Sequence, residues 1–433
     1  MKALRTRAAA PRPPRRWRTP PPLTRGSSEN LEGMEILREV GGDAGILLWQ
    51  SYRNVMLWST AADGERSKMF SPEAGRKRLA DLAASDVPAE LREPVAVVGR
   101  MLGAPGDTPG EAVGEACAAV AAWAEASGNA GTGLAFTQAA ALAAPASARL
   151  PFEVGQIARR RHEVARAETW FRHAIMIGRQ VGDWDSYSRS YLALGNMFLQ
   201  RGNLPTAQRM HVKALRASRR KGLPHIQGYA LHDLFVIATE TGRNEQAESY
   251  ARSAFRAYGA QHEKIPALAH DIAYFWMNQG YFERALPVLQ ALLPHFTDQR
   301  DQLAVMANIA RAAGGAGARD VFRKTWIETS RLVREPSVTP VLAQALVELA
   351  TGAASLGEWD RAEQSAERAL EVAQQRGENK VAARAESILE SVRRGRQVDA
   401  ARSTAVRREV HAEQADSLAD DLVRSLEAQP IAA

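Results

Sequence analysis

The apolar positions of this chain fall at helical spacing. Leu48, Trp49, Tyr52, Val55, Met56 and Trp58 line one face of an amphipathic helix near its start. Val406, Val410, Leu418, Leu422 and Leu426 form a narrow stripe on a highly charged helix near its end. Ser71-Pro72-Glu73 and Thr108-Pro109-Gly110-Glu111 read as helix starts, the second as a capping box with Pro at the first helical position. The Ala-rich run that follows reads as a degenerate helix pair joined at Gly128–Gly133.

Between these ends the pattern repeats. Val154-Gly155, Ala167, Phe171 and Ala174 recur forty residues later as Leu194-Gly195, Ala207, His211 and Ala214. A further forty residues bring Leu234-Phe235, Ala247, Ala251 and Ala254, and a turn glycine keeps the same step from Gly202 to Gly242. Gly357, Ala362, Ala366 and Ala369 in ASLGEWDRAEQSAERALEVA make a further copy. Two less regular copies lie between, one with Gly280, Ala285 and Leu289, the other anchored only by Ala318 and Phe322. About six copies cover residues 148–376. Gly314-Gly315-Ala316-Gly317 reads as a helix-breaking turn, with no preceding strand to make it a nucleotide loop.

This pattern resembles the tetratricopeptide repeat, with Leu-Gly in the first helix, Gly at the turn, and Ala, aromatic and Ala in the second. The resemblance implies an all-α fold, a right-handed solenoid of antiparallel helix pairs. A forty-residue step exceeds the family's usual 34 and suits helices about one turn longer. Repeats of that length are similar to those in sensor regions of large bacterial transcriptional activators and in peptide-responsive bacterial regulators. The expected organisation is a Pro/Arg-rich tail over 1–33, a divergent helical region over 34–147 and the array over 148–376. A capping helix follows over 377–395, then an amphipathic helix and tail over 396–433. The last stripe has two candidate uses, docking back on the array or pairing with a second copy, and docking is the expectation.

Charge changes the picture less than the total suggests. The formal net charge is +7, but residues 1–33 hold eight basic against two acidic side chains, leaving +1 for the other 400. The tail has too few apolar residues to offset its ordering entropy. It reads as an inert extension ahead of Met34, or as a nucleic-acid or membrane-surface arm. Inside the array, residues 149–225 carry fifteen Arg or Lys against five acids, densest at Arg159, Arg160, Arg161 and at Arg219, Arg220, Lys221. That basic patch suits an acidic partner, although a solvated face is the more ordinary meaning of such a run. Cys117 alone builds neither a disulfide framework nor a cysteine zinc site. No apolar stretch approaches the 18 residues of a membrane span, and no signal peptide is visible. A cytoplasmic setting is expected by elimination.

His232-Asp233 and His270-Asp271 invite comparison with metal-dependent phosphohydrolases, which need further His and Asp ligands from other helices. Here both pairs fall at one place in consecutive repeats, positions 5 and 6 of the first helix. The family commonly has a structural Asn at position 6. The resemblance also implies that positions 2, 5, 9, 12 and 13 of the first helices face a groove. Carried onto this chain, the groove shows Arg189, Leu192, Asn196, Leu199 and Gln200, then Tyr229, His232, Val236, Thr239 and Glu240, then Ala267, His270, Tyr274, Met277 and Asn278. Such a mixture suits an extended or helical peptide. The family's clamp for a C-terminal carboxylate is not expected, because Leu192 and Asn196 begin it wrongly and Asp233 puts a carboxylate where one must be received. The leading function is a protein- or peptide-binding scaffold with no catalytic residue, metal or cofactor, and with no nucleic acid expected on the folded part. The alternatives are a sensor module of a bacterial transcriptional control system and, remotely, an HD-type hydrolase.

Overall fold

The computed structural model describes residues 33–398 and 412–430. The expected tail over 1–33 lies outside them except for Gly33, as do Val406 and Val410 of the last apolar stripe. Every regular element among the described residues is a helix.

Two compact units divide the chain, residues 1–226 and 227–433. The first begins with α1 (Met34–Glu39), α2 (Gly42–Thr60), α3 (Asp63–Met69), α4 (Pro72–Ala84) and α5 (Ala89–Gly103). It continues with α6 (Gly110–Ala126), α7 (Ala130–Ala143), α8 (Arg149–Arg160), α9 (Val164–Val181), α10 (Trp184–Gln200) and α11 (Leu204–Lys221). One apolar core runs from Ile36 on α1 to Met210 on α11. The N-terminal helices therefore share their core with the first repeats. Glu39 helps to fix them, its carboxylate accepting from Gly131 N at 2.9 Å and Thr132 N at 2.7 Å. A carboxylate there satisfies orphan donors at the start of α7 and favours the positive end of its dipole. Ser71 caps α4 as expected, its hydroxyl accepting from Ala74 N. Thr108 does not cap α6; its hydroxyl donates back to Ala104 O at 3.0 Å, and Pro109 takes the cap position without a side-chain bond.

The second unit contains α12 (Pro224–Glu240) from Gln227 onward, then α13 (Asn244–Tyr258), α14 (Ile265–Asn278), α15 (Phe282–Leu292) and α16 (Gln299–Ala316). It ends with α17 (Arg319–Leu332), α18 (Leu342–Ser355), α19 (Trp359–Gln375), α20 (Asn379–Val398) and α21 (Ala412–Glu427). α21 packs on α15 and α14, with Leu418 at 4% exposure and Leu422 and Leu426 at 0%. The part of the stripe within the described residues, Leu418, Leu422 and Leu426, is thus docked on the array.

Helix pairs form where small residues permit close approach. Ala167, Ala207, Ala247, Ala174, Ala214 and Ala254 are all fully buried. A Cβ at Gly155 would strike the Phe171 ring, and one at Gly195 the His211 ring. The bulk of the second helix fills the hollow that glycine leaves in the first. In the third copy the sizes are exchanged, Phe235 standing on the first helix and Ala251 on the second, both 1% exposed. The turn between paired helices needs a positive φ, and the same turn recurs at Gly128, His162, Gly202, Gly242, Gly280, Gly317 and Gly357. Gly128 makes α6 and α7 a further pair, 34 residues ahead of His162, in a region where the sequence showed no register.

Two sequence expectations are corrected here. Gly314 and Gly315 do not break a helix; α16 runs through them to Ala316, and only Gly317 turns, at φ 74°. A Cβ at Gly314 would collide with the backbone of Gly352, so the glycine serves the close crossing of α16 and α18. The segment Pro336–Ser355 is long and apolar enough to cross a membrane by composition, at mean hydropathy 1.2. It includes Glu348, a buried ion-pair partner, and α18 packs on both α16 and α19. That is the pattern of a core helix in a repeat array.

Candidate functional site

In the second unit the first helices of successive pairs are α12, α14, α16 and α18, with α20 following them, and a row of polar side chains crosses all five. His232 Nε2 on α12 donates to Asp271 Oδ2 on α14 at 2.9 Å. Asp271 Oδ1 lies 3.4 Å from His270 Nδ1, and His270 Nε2 lies 3.1 Å from the amide nitrogen of Asn308 on α16. These contacts select one tautomer for His270, with Nδ1–H donating to the carboxylate and Nε2 accepting from Asn308. One turn along α16, Arg311 donates to Asn278 Oδ1 at 2.8 Å and to Glu348 Oε2 at 3.0 Å. Its guanidinium lies 5.7 Å from the centroid of the Tyr274 ring. Glu348, with a side chain only 2% exposed, also takes Arg384 of α20 at 3.0 Å and the amide of Gln344.

The electrostatics follow from this linkage. Burial alone would raise the Asp271 carboxyl, but hydrogen bonds from His232 and His270 and their charges outweigh it and hold it at about 2. Asp233 has the reverse balance. Burial pushes it up to about 7, with the Asp271 charge adding and His232 opposing.

Of the expected groove residues, His232, His270, Tyr274 and Asn278 belong to this row. Tyr229 stands apart from it, its ring edge-on to Tyr258 and its hydroxyl 3.4 Å from Glu263. Thr239 does not present its hydroxyl to a groove, because that oxygen is buried. Met277 is also no groove residue at 1% exposure. The two His-Asp pairs are bound to each other, and among the described residues no three His, Cys, Asp or Glu gather in a metal-holding cluster. Asn308, Arg311, Gln344, Glu348 and Arg384 were missed by the sequence reading. Asn308 and Arg311 precede Ala318, in the copy of weakest register, whereas Gln344 and Glu348 precede Gly357 in a clear copy and Arg384 lies beyond the array. Their signal was the same near-forty spacing, 38 residues from His270 to Asn308 and 37 from Arg311 to Glu348.

The first unit holds the remaining candidates. Arg189 is exposed and pairs with Asp185 at 2.7 Å, and His225 meets the other oxygen of that carboxylate at 3.1 Å. Asn196 is half-buried, Gln200 exposed, and Leu192 buried at 8% exposure. The basic patch is partly neutralised by acids from inside and outside its own stretch. Arg160 pairs with Glu125 at 2.7 Å, and Arg161 meets Glu163 at 2.9 Å and Glu35 at 3.6 Å, while Arg159 is half-buried. Arg219 and Arg220 are exposed, and the Lys221 ammonium sits 4.5 Å from the Trp184 ring.

Comparison with known proteins assigns the class. The family model described as tetratricopeptide repeat matches residues 146–220 and again residues 345–380. Those two segments therefore match tetratricopeptide repeats, and the described residues form an all-α repeat fold. No curated protein matches it. Among solved structures it is similar to PilF of Pseudomonas aeruginosa, at 15% identity and a TM-score of 0.43, covering 53% of this chain and 97% of that one. It is also similar to aspartyl phosphate phosphatase F from Bacillus subtilis, at 11% identity and a TM-score of 0.40, covering 84% and 97%. A third is the Rap conjugation gene regulator of plasmid pLS20 in complex with the Phr* peptide, at 14% identity and a TM-score of 0.33, covering 84% and 98%.

Proposed function

We propose that this protein is a scaffold that holds a protein or peptide segment along the first helices of its repeats and performs no chemistry on it. The observation that carries this reading is the row from His232 to Arg384. Its members fix one another, yet the side chains of Asp271 and Arg384 remain 42% and 38% exposed, and that of His270 30%. Groups already held in place lose little freedom when a ligand arrives. Imidazole, amide and phenol groups in that order can bond the backbone of an extended or helical segment.

The test is site-specific photo-crosslinking in native extract, with p-benzoylphenylalanine at Tyr274 on α14 and, as a control, at exposed Arg323 on α17. A partner captured from Tyr274 but not from Arg323 is the expected result. Equal capture from both sites, or turnover of a nucleotide panel by the purified protein, overturns the reading.

A further inference from the structure

The second helices of two successive pairs, α9 and α11, both pack on α10, the first helix of the later pair. Trp184, Tyr187 and Tyr191 stand at i, i+3 and i+7 on α10 and so share one of its faces. Their rings form a continuous edge-to-face row, with centroids 5.3 Å apart from Trp184 to Tyr187 and 5.0 Å from Tyr187 to Tyr191. All three are half-buried, and none holds a position expected in the groove of the first helices.

Cations flank this row from both second helices. On α11 the Lys221 ammonium lies 4.5 Å from the centroid of the Trp184 ring, and the Lys213 ammonium 5.3 Å from that of Tyr191. α11 carries six Arg or Lys and no acid. On α9, Arg172 and Arg179 are exposed and act on the same ring. Burial and Tyr187 push the Tyr191 hydroxyl up to about 12, while the charges of both arginines pull the other way. The nearby acids are already engaged. Glu168 pairs with Arg172 at 2.7 Å, Asp183 caps α10 by accepting from Ser186 N at 3.0 Å, and Asp185 meets Arg189 and His225. The excess charge beside the rings is therefore positive.

An ammonium over an open ring is held by only about 0.5–1 kcal/mol, and a phosphate is a stronger partner for it. When both lysines turn to phosphates, the faces of Trp184 and Tyr191 are uncovered for flat groups. From Trp184 to Tyr191 the row runs about 10 Å at 1.5 Å per residue, close to three nucleotides at about 3.4 Å each along one strand.

We propose that the aromatic row between α9 and α11 binds single-stranded nucleic acid, with bases stacking on Trp184 and Tyr191 and phosphates taken by Lys213, Lys221 and Arg179. An acidic peptide would satisfy the cations and leave the rings without planar partners, and a duplex keeps its bases stacked inside. Read helix by helix, the sequence points away from nucleic acid on the folded part, because the cations of α9 and α11 meet the rings of α10 only in the fold. The site shares no residue with the row on α12 to α20 and does not depend on what that row holds.

The test uses the full chain and fluorescein-labelled thymidine and uridine decamers, read by anisotropy at several salt concentrations. Both are expected to bind saturably, and the tighter one identifies the strand as DNA or RNA. An abasic deoxyribose decamer of equal charge and a blunt duplex of equal length are expected to bind at least tenfold more weakly. Trp184→Ala is expected to weaken decamer binding about tenfold and leave the abasic strand unaffected, whereas Trp184→Phe keeps most of the affinity. Lys213 and Lys221 are exposed, so Lys213→Gln with Lys221→Gln is expected to leave the melting temperature unchanged. That pair is expected to reduce the slope of log affinity against log salt by roughly 1.4, at about 0.7 per phosphate contact. No saturable binding of either decamer, equal binding of the abasic strand, or an unchanged slope in the lysine variant overturns the proposal. Complete displacement of the decamers by an equal concentration of a glutamate decapeptide also overturns it, in favour of an acidic protein partner.

Discussion

His232 and Asp271 lie 39 positions apart in the chain and 2.9 Å apart in space, and their bond helps to hold the Asp271 carboxyl down while burial pushes the neighbouring Asp233 up. Asp271 is held at about 2, below its ordinary 3.8, so its contribution to stability is complete above pH 4 and fades as pH falls towards 2. Its carboxylate is 42% exposed, so solvent screening keeps that contribution below about 1 kcal/mol. Asp233 is raised to about 7, so its contribution is complete below about pH 4 and is lost as pH rises through 7. Asp233→Asn is therefore expected to stabilise the second unit at pH 8.5, by on the order of 2 kcal/mol, and to change little at pH 4. Hydrogen exchange of α12 and α14 at the two pH values measures this; equal protection in wild type and variant at pH 8.5 refutes it.

His162 occupies a turn where the equivalent positions hold glycine, at φ 61°, and it is the one non-glycine residue with positive φ among the described residues. A Cβ in that conformation costs roughly 1 kcal/mol. The side chain is exposed, so removing it forfeits little packing. His162→Gly is expected to raise the stability of the first unit by no more than about 0.5 kcal/mol, because the added freedom of glycine in the unfolded chain takes back most of the relieved strain. Chemical denaturation reports the change, and a loss of stability contradicts the assignment of strain.

Much of the array was legible because its signals are local. Buried alanines at a forty-residue step and glycine at each turn need no partner to be recognised, and they fix helix pairs wherever they are intact. The pair α6–α7 was legible as a helix pair joined near Gly128, but its register was not, because its step to the next turn is 34 residues and that turn holds His162 in place of glycine. The polar row was half visible. His232 and His270 stood out as dipeptides, but their function as links depends on Asn308 and Arg311, which approach only after α16 is placed beside α14.

Glu348 and Arg311 are the most deeply enclosed ion pair of the row, with side chains 2% and 10% exposed. Removing one partner leaves the other charge in a poor dielectric, a loss of roughly 3–5 kcal/mol. Glu348→Ala is expected to destabilise the second unit by that amount in urea titration. Joint replacement of Arg311 and Glu348 by leucine is expected to recover most of it, because no uncompensated charge remains. If the double variant is as unstable as the single one, the pair contributes through its wider network, including Arg384 and Gln344.

α21 is held by a different combination, an apolar stripe with polar anchors at its C-terminal end. Leu422 and Leu426 are fully buried, Ser425 and Gln429 donate to Ala260 O, and His295 Nε2 donates to Leu426 O at 2.9 Å. Burying a leucine side chain contributes about 1.5–3 kcal/mol, enough to hold one short helix on a preformed surface. Leu422→Asp puts a charge into that interface without touching the alanine contacts of the array. The helix is then expected to detach, with amide exchange across residues 418–429 accelerating at least a hundredfold. Thermal unfolding of the remainder is expected to move only slightly, because the pairs α12–α20 keep their own packing. A large cooperative loss across α14 and α15 would instead make α21 an integral part of the second unit's core.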